Sequence, residues 1–291
     1  MFSGAMVAIV TPFSNGQVDE EAFRRLINFQ IDNGTHAIVP CGTTGESATL
    51  SHEEHNHVVE FAIKEVNGRV PVIAGTGSNS TAEAIALTRH AKEAGADGAL
   101  MILPYYNKPT QEGLYQHFKA VTEAVSLPII MYNIPSRTGI NMLPDTVARL
   151  SKLENIIGVK ESSGDLIQMT RIFEQCGDDF DLISGDDPLT LPLMAVGGKG
   201  VISVASNVVP REVSDMVTAF QEGNLSKSRE IFIRLQPLFR ALFLETNPIP
   251  VKMALGFMGM IDPEMRLPLY PMSEENTNKL KKVLADYGLI K

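Results

Sequence analysis

The chain has 291 residues, 44% of them hydrophobic and 20% charged, and a formal net charge of −9. It can therefore bury a large core, as one big domain or two modest ones, and its acidity without a basic stripe argues against a nucleic-acid binder. No apolar run approaches the roughly 18 residues of a membrane span and the start MFSGAMVAIVTPF lacks the basic region of a secretory signal, so a cytoplasmic protein away from membranes is expected.

The first apolar run, MVAIVTPF, reads as a short buried strand, and DEEAFRRLINFQIDNG after it has helical periodicity closed by a glycine. The second run, AIVPCGTTGES, ends in the loop GTTGES at 42–47. Its glycines let the backbone approach a ligand, and consecutive N–H groups with the hydroxyls of Thr43 and Thr44 would cradle a carboxylate. A glycine-rich turn with no ligand remains the other reading. Ser51 then caps a helix, SHEEHNHVVEFAIKEV. Its His52, His55 and His57 are spaced by three and two, not as in HExxH, so by pattern they form a solvated polar face and bind no metal. Cys41 and Cys176 lack CxxC spacing and read as buried free thiols.

The third run, PVIAGTGSNS, precedes the helix TAEAIALTRHAKEAG, and the fourth, GALMILPYYN, precedes QEGLYQHFKAVTEAV. The fifth, PIIMYNIPSRTG, has Tyr132 near its end, and the sixth, IIGVKESSGD, carries Lys160. FDLISGDDP and GVISVASNVVP bring the count of strand-like runs to eight. Beyond residue 224, LSKSREIFIRLQPLFRALF, IPVKMALGFMGM and SEENTNKLKKVLADYG read as helices without strands.

Strands alternating with helices every 30 residues or so imply parallel βαβ units, and eight of them imply an α/β fold of the (β/α)8 TIM barrel type. The expected organisation is a catalytic barrel over 1–224 with a C-terminal helical appendage over 225–291. An open doubly wound sheet is the competitor, but its GxGxxG fingerprint after the first strand is absent. A phosphate site is also disfavoured: GTGSNS follows the third strand, whereas the usual barrel phosphate site follows the seventh and eighth, where SGDDP carries two carboxylates.

Barrel chemistry sits where strands end. Strict alternation puts Ile156, Gly158 and Lys160 on one face of strand six, and Ile130 and Tyr132 on one face of strand five. Neighbouring strands lie about 4.8 Å apart, so amine and phenol can meet in the barrel mouth. Desolvation would lower the lysine pKa and make it a nucleophile for a ketone, with the phenol moving protons. The alternative is a lysine that snorkels outward or bridges to Glu161 or Asp165.

Together GTTGESATL, YNIPSRTG, IIGVKESSGD, LISGDD and NPIPVK closely resemble the 4-hydroxy-tetrahydrodipicolinate (dihydrodipicolinate) synthase family, of the pyruvate-dependent class I aldolase and N-acetylneuraminate lyase superfamily. The resemblance is nearly full length. It implies a cofactor-free, metal-free lyase in which Lys160 forms an imine with pyruvate, whose carboxylate rests on Thr43 and Thr44. Tyr132, Thr43 and Tyr106 would form a hydroxyl relay, with Tyr106 supplied by a neighbouring subunit of a homotetramer, a dimer of tight dimers. Arg137 would hold the carboxylate of L-aspartate 4-semialdehyde, and the carbonyl of Gly185 and the side chain of Ile202 would line the pocket. The resemblance also implies an L-lysine effector site at Ala48, His52, His55, Asn79, Glu83 and Tyr105. Tyr105 and Tyr106 would point in opposite directions, as neighbours on an extended chain do. Within the superfamily, N-acetylneuraminate lyase or a 2-keto-3-deoxy sugar-acid aldolase would share Lys160 and Tyr132 without the arginine of SRTG. From another class, a noncatalytic keto-acid sensor could use the same pocket but would not need a proton relay.

Overall fold

The computed structural model describes residues 2–291. Eight parallel strands form the barrel: β1 Gly4–Ala8, β2 Ala37–Val39, β3 Ile73–Gly75, β4 Gly98–Ile102, β5 Ile129–Asn133, β6 Ile156–Glu161, β7 Asp181–Ser184 and β8 Gly200–Ser203. They pair in the order β2-β1-β8-β7-β6-β5-β4-β3. The ring closes between its two edges through the bridge Ile38↔Val72 and the hydrogen bonds from Ile38 N to Pro71 O (3.0 Å) and Gly75 N to Pro40 O (2.9 Å). A small antiparallel hairpin, Phe13–Ser14 with Gln17–Val18, follows β1.

The helices around the barrel are α1 Glu20–Asp32, α2 His52–Val66, α3 Thr81–Ala94, α4 Gln111–Ala124, the short α5 Pro135–Thr138, α6 Pro144–Leu150, α7 Leu166–Cys176, α8 Thr190–Ala195 and α9 Pro210–Gln221. Their starts follow from local chemistry. Ser51 and Glu54 form a reciprocal capping box on α2, and Asp165 accepts from the N–H groups of Ile167 and Gln168 on α7. Three further helices, α10 Leu225–Ala241, α11 Ile249–Phe257 and α12 Glu274–Asp286, form the C-terminal appendage. No helix among the described residues is long and apolar enough to cross a membrane.

Alternation along the strands creates two cores. The outer one lies between strands and helices, and the inner one fills the barrel with Met6, Val39, Ile73, Leu100, Ile130, Tyr132, Ile183 and Ile202 over Phe2 at the base. The alternation expected along β6 is broken by a bulge: Ile129 pairs with Ile156 but Ile130 pairs with Gly158. Ile156 therefore joins the outer core, and Ile157, not Ile156, packs against the inner one. Past the bulge the register is regular again and sets Lys160 directly opposite Tyr132.

Candidate active site

Lys160 is 4% exposed, and its ammonium nitrogen lies 4.2 Å from the centre of the Tyr132 ring. Burial pulls its pKa down to about 8, against the opposing pull of the Asp186 and Asp187 carboxylates. Burial pushes the Tyr132 phenol far above its ordinary range. The outward-bridging alternative is excluded. Glu161 points away into a network with Asn133 Nδ2 (2.9 Å), Ser163 N (2.7 Å) and Gln168 Nε2 (3.3 Å), while Asp165 caps α7.

Around Lys160 lies a small chamber of about 40 Å³, whose walls include Thr43, Thr44, Tyr132, Arg137, Gly185, Asp186, Val204 and Asn247. Gly185 is glycine because a Cβ there would overlap Ser162 Oγ and come within 3.0 Å of Lys160 Cε. Ser162 itself is buried beside Tyr132 and Asp186. Arg137, at the end of α5, donates to the Asn247 carbonyl at 2.9 Å. Ile202 does not reach the chamber. It is fully buried in the inner barrel core, and Val204, two residues on, forms that wall instead.

Two non-glycine residues hold the left-handed region here, Cys41 just before the GTTGES loop (φ 55°) and Glu46 within it (φ 53°), a conformation that costs about 1–2 kcal/mol per residue. The C-terminal appendage holds it there. Asn247 Nδ2 donates to Thr44 Oγ1 at 3.0 Å. The fully buried Lys252 of α11 donates to Glu46 Oε1 at 2.5 Å and to the Thr11 carbonyl at 3.0 Å. Arg266 N donates to Glu46 Oε2 at 3.2 Å, and its guanidinium pairs with Glu54 of the capping box at 2.5 Å. Sequence reasoning missed Asn247, Glu46 and Lys252. A lysine inside the apolar stretch IPVKMALGF was the available signal, because a buried lysine needs a partner.

A larger cleft of about 490 Å³ adjoins the chamber and shares Thr43, Tyr132, Arg137 and Asn247 with it. Ala48, His52, His55, Glu83 and Tyr105 all line this cleft. Asn79 does not, and its carbonyl instead accepts from Asn107 Nδ2 at 2.9 Å. His52 Nε2 lies 2.9 Å from Glu83 Oε1, and Glu83 also takes the Ser78 hydroxyl. His55 is buried against the Gly75 carbonyl at 2.9 Å, and burial lowers its pKa. The polar face expected of the three histidines thus holds only for His52 and His57, the latter reaching Glu20 at 2.7 Å. Tyr105 and Tyr106 do diverge, but through a turn and not an extended chain: Tyr106 has φ 71°, and Asn107 N donates to the Tyr105 carbonyl at 2.8 Å. Tyr106 is 88% exposed and reaches neither cavity of its own chain.

A buried lysine with a lowered pKa at the end of a barrel strand, beside a phenol and under an arginine, is the constellation the sequence resemblance implies. The model of the dihydrodipicolinate synthetase family matches residues 1–287. The chain belongs to the dihydrodipicolinate synthetase family. Among relatives of known name, the 4-hydroxy-tetrahydrodipicolinate synthase of Syntrophus aciditrophicus is 63% identical over 290 residues, covering 100% of both chains. The crystal structure of dihydrodipicolinate synthase from Aquifex aeolicus superposes with a TM-score of 0.98 at 56% identity, covering 99% of each chain. That of the Cyanidioschyzon merolae family member with lysine bound gives 0.96 at 43% identity, again with 99% of each covered. Lys160, Tyr132 and Gly42, Thr43 and Thr44 of the GTTGES loop all line one chamber.

Proposed function

We infer that the chain is a class I aldolase-type lyase that condenses pyruvate with L-aspartate 4-semialdehyde to 4-hydroxy-tetrahydrodipicolinate, the first committed step of lysine (diaminopimelate) biosynthesis. The observation that carries this reading is the buried Lys160, in register with Tyr132 and with its pKa near 8. Its free amine attacks the ketone of pyruvate, and loss of water gives the imine. The pyruvate carboxylate rests on the GTTGES loop, where Thr43 and Thr44 supply N–H groups and hydroxyls. Tyr132 and Thr43, joined by Tyr106 of a second copy, carry protons during imine formation and condensation. The exposure of Tyr106 and its left-handed backbone support a residue built to serve another subunit. Arg137 holds the semialdehyde carboxylate in its planar fork, and Gly185 lines the same chamber. Val204 stands where Ile202 was expected.

The reading extends to a cytoplasmic homotetramer, a dimer of tight dimers, inhibited by L-lysine in the cleft of Ala48, His52, His55, Glu83 and Tyr105. Lysine bound to the Cyanidioschyzon merolae relative supports this regulatory part. A sugar-acid aldolase or a keto-acid sensor fits less well, since the relatives at 57–63% identity carry the synthase name. The test is borohydride reduction with pyruvate followed by peptide mass mapping. One N-(1-carboxyethyl) adduct per chain is expected at Lys160, and none in Lys160→Ala. An adduct at Lys252, the other buried lysine, would overturn the mechanism.

A further inference from the structure

The second substrate carries three groups that a site can recognise: an aldehyde, a carboxylate and an α-ammonium. The proposed reaction uses the first at the enamine and the second at Arg137. The third still needs a partner. It must also lose a proton before its nitrogen can close the ring.

Among the described residues lining the chamber, the only carboxylate is that of Asp186. The two aspartates of SGDD have separate fates. Asp187 turns inward and is fully engaged by Ser203 Oγ at 2.5 Å, Val204 N at 3.1 Å and Ala205 N at 3.0 Å. Asp186 faces the chamber that also holds Lys160 and Arg137, and it takes part in none of the ion pairs among the described residues. Its backbone is pinned by Ser184, whose hydroxyl donates to the Asp186 carbonyl at 2.8 Å and accepts from its N–H at 3.3 Å. A loop held in this way needs little backbone reorganisation when a ligand arrives.

We propose that Asp186 receives the α-ammonium of L-aspartate 4-semialdehyde and takes its proton before ring closure, a role that rests on the function proposed above. One N–H bond of the ammonium breaks and the proton passes to the carboxylate. The freed amine then attacks the carbon of the Lys160 imine, forming the ring C–N bond. A second proton moves from the new ring nitrogen to the lysine nitrogen, which already carries the proton of the iminium; the bond to Lys160 breaks as the ring C=N bond forms, the lysine leaves as a neutral amine, and the last proton of the original ammonium leaves the ring nitrogen for water. No oxidant or further reactant is needed. Burial holds the Asp186 carboxyl above the usual carboxylate range, and Asp187 adds to this while Lys160 opposes it, which improves a weak base. The groups facing it are Lys160 from β6, Asp187 from its own loop and Ser162 beyond β6, with Tyr132 and Arg137 across the chamber.

The experiment compares wild type with Asp186→Asn. Pyruvate trapping by borohydride should persist in the variant, which also serves as its folding control. The KM for the semialdehyde should rise at least tenfold, and with pyruvate saturating, so that Lys160 is already held as its imine, the acid limb of the kcat profile, where protonation removes the base, should disappear. Asp186→Glu should restore part of both. Succinic semialdehyde keeps the aldehyde and carboxylate but lacks the ammonium, so its inhibition constant should not change. Equal weakening of both compounds, or an unchanged KM and pH profile, would overturn the proposal. Failure of the wild-type chain to consume the semialdehyde would instead overturn the underlying function.

Discussion

Lys160 illustrates how position sets chemistry. An ordinary lysine is a free amine only about once in 2,500 molecules at pH 7, but with its pKa near 8 about one molecule in ten is unprotonated. The sign follows: the charged form is disfavoured by burial, so the nucleophile is present above about pH 8 and is lost as the pH falls. Trapping with pyruvate should therefore rise almost tenfold per pH unit up to about 7 and flatten above about 8. Following adduct formation by mass spectrometry from pH 5.5 to 9.5 checks this. A rise still as steep between pH 8.5 and 9.5 would mean that Lys160 keeps its ordinary pKa. The alternation rule identified Lys160 and Tyr132 as partners, yet it misplaced Ile156, because nothing in IIGVKE marks a one-residue bulge.

The loop between β2 and α2 depends on an element 206 residues further along the chain. Glu46 and Lys252 form a buried pair in which Lys252 also stacks 4.3 Å over the Phe13 ring, and burial lowers the lysine's pKa against the pull of Glu46. Buried pairs seldom add net stability over an apolar replacement, but removing one partner typically costs about 3–5 kcal/mol. Lys252→Met alone should accordingly lower the urea midpoint sharply. Glu46→Gln combined with Lys252→Met should recover most of that stability, yet leave the KM for pyruvate raised severalfold, since Thr43 and Thr44 are no longer held. If the double variant bound pyruvate normally, the pair would be structural only. Ser51 as the α2 cap was readable locally because a capping box is built from four consecutive residues, whereas the Glu46–Lys252 pair joins two segments that have no sequence relation.

A single chain leaves Tyr106 in solvent and the proposed relay incomplete. Co-expression of Lys160→Ala with Tyr106→Phe tests whether copies complete each other. Each variant alone should be nearly inactive, while mixed dimers contain sites with an intact Lys160 from one chain and an intact Tyr106 from the other, and should regain activity. No recovery in verified mixed dimers would place the relay within one chain. In the proposed regulation the two cavities are neighbours: the proposed effector cleft and the Lys160 chamber share Thr43 and Tyr132, a shorter connection than one through Tyr105 and Tyr106 alone. Lysine can inhibit only if it binds two states of that shared wall differently. Glu83→Ala, which removes the cleft carboxylate now paired with His52, should abolish inhibition by millimolar L-lysine and retain most basal activity. Full inhibition of that variant would remove Glu83 from the site.

The chain alone was enough for the eight-stranded barrel, the appended helices and the placing of Lys160 beside Tyr132. Each of these rests on hydrophobic periodicity or on a short motif, and such signals are local. Ile202, Asn79 and the Glu46–Lys252 pair depended on the folded molecule. Whether Ile202 or Val204 meets the chamber is set by how far β8 runs before its turn. Whether Asn79 faces the cleft is set by the loop pinned through Asn107. The pairing of GTTGES with NPIPVK is set by where the appendage docks, a contact between residues 206 positions apart that only packing brings to 2.5 Å.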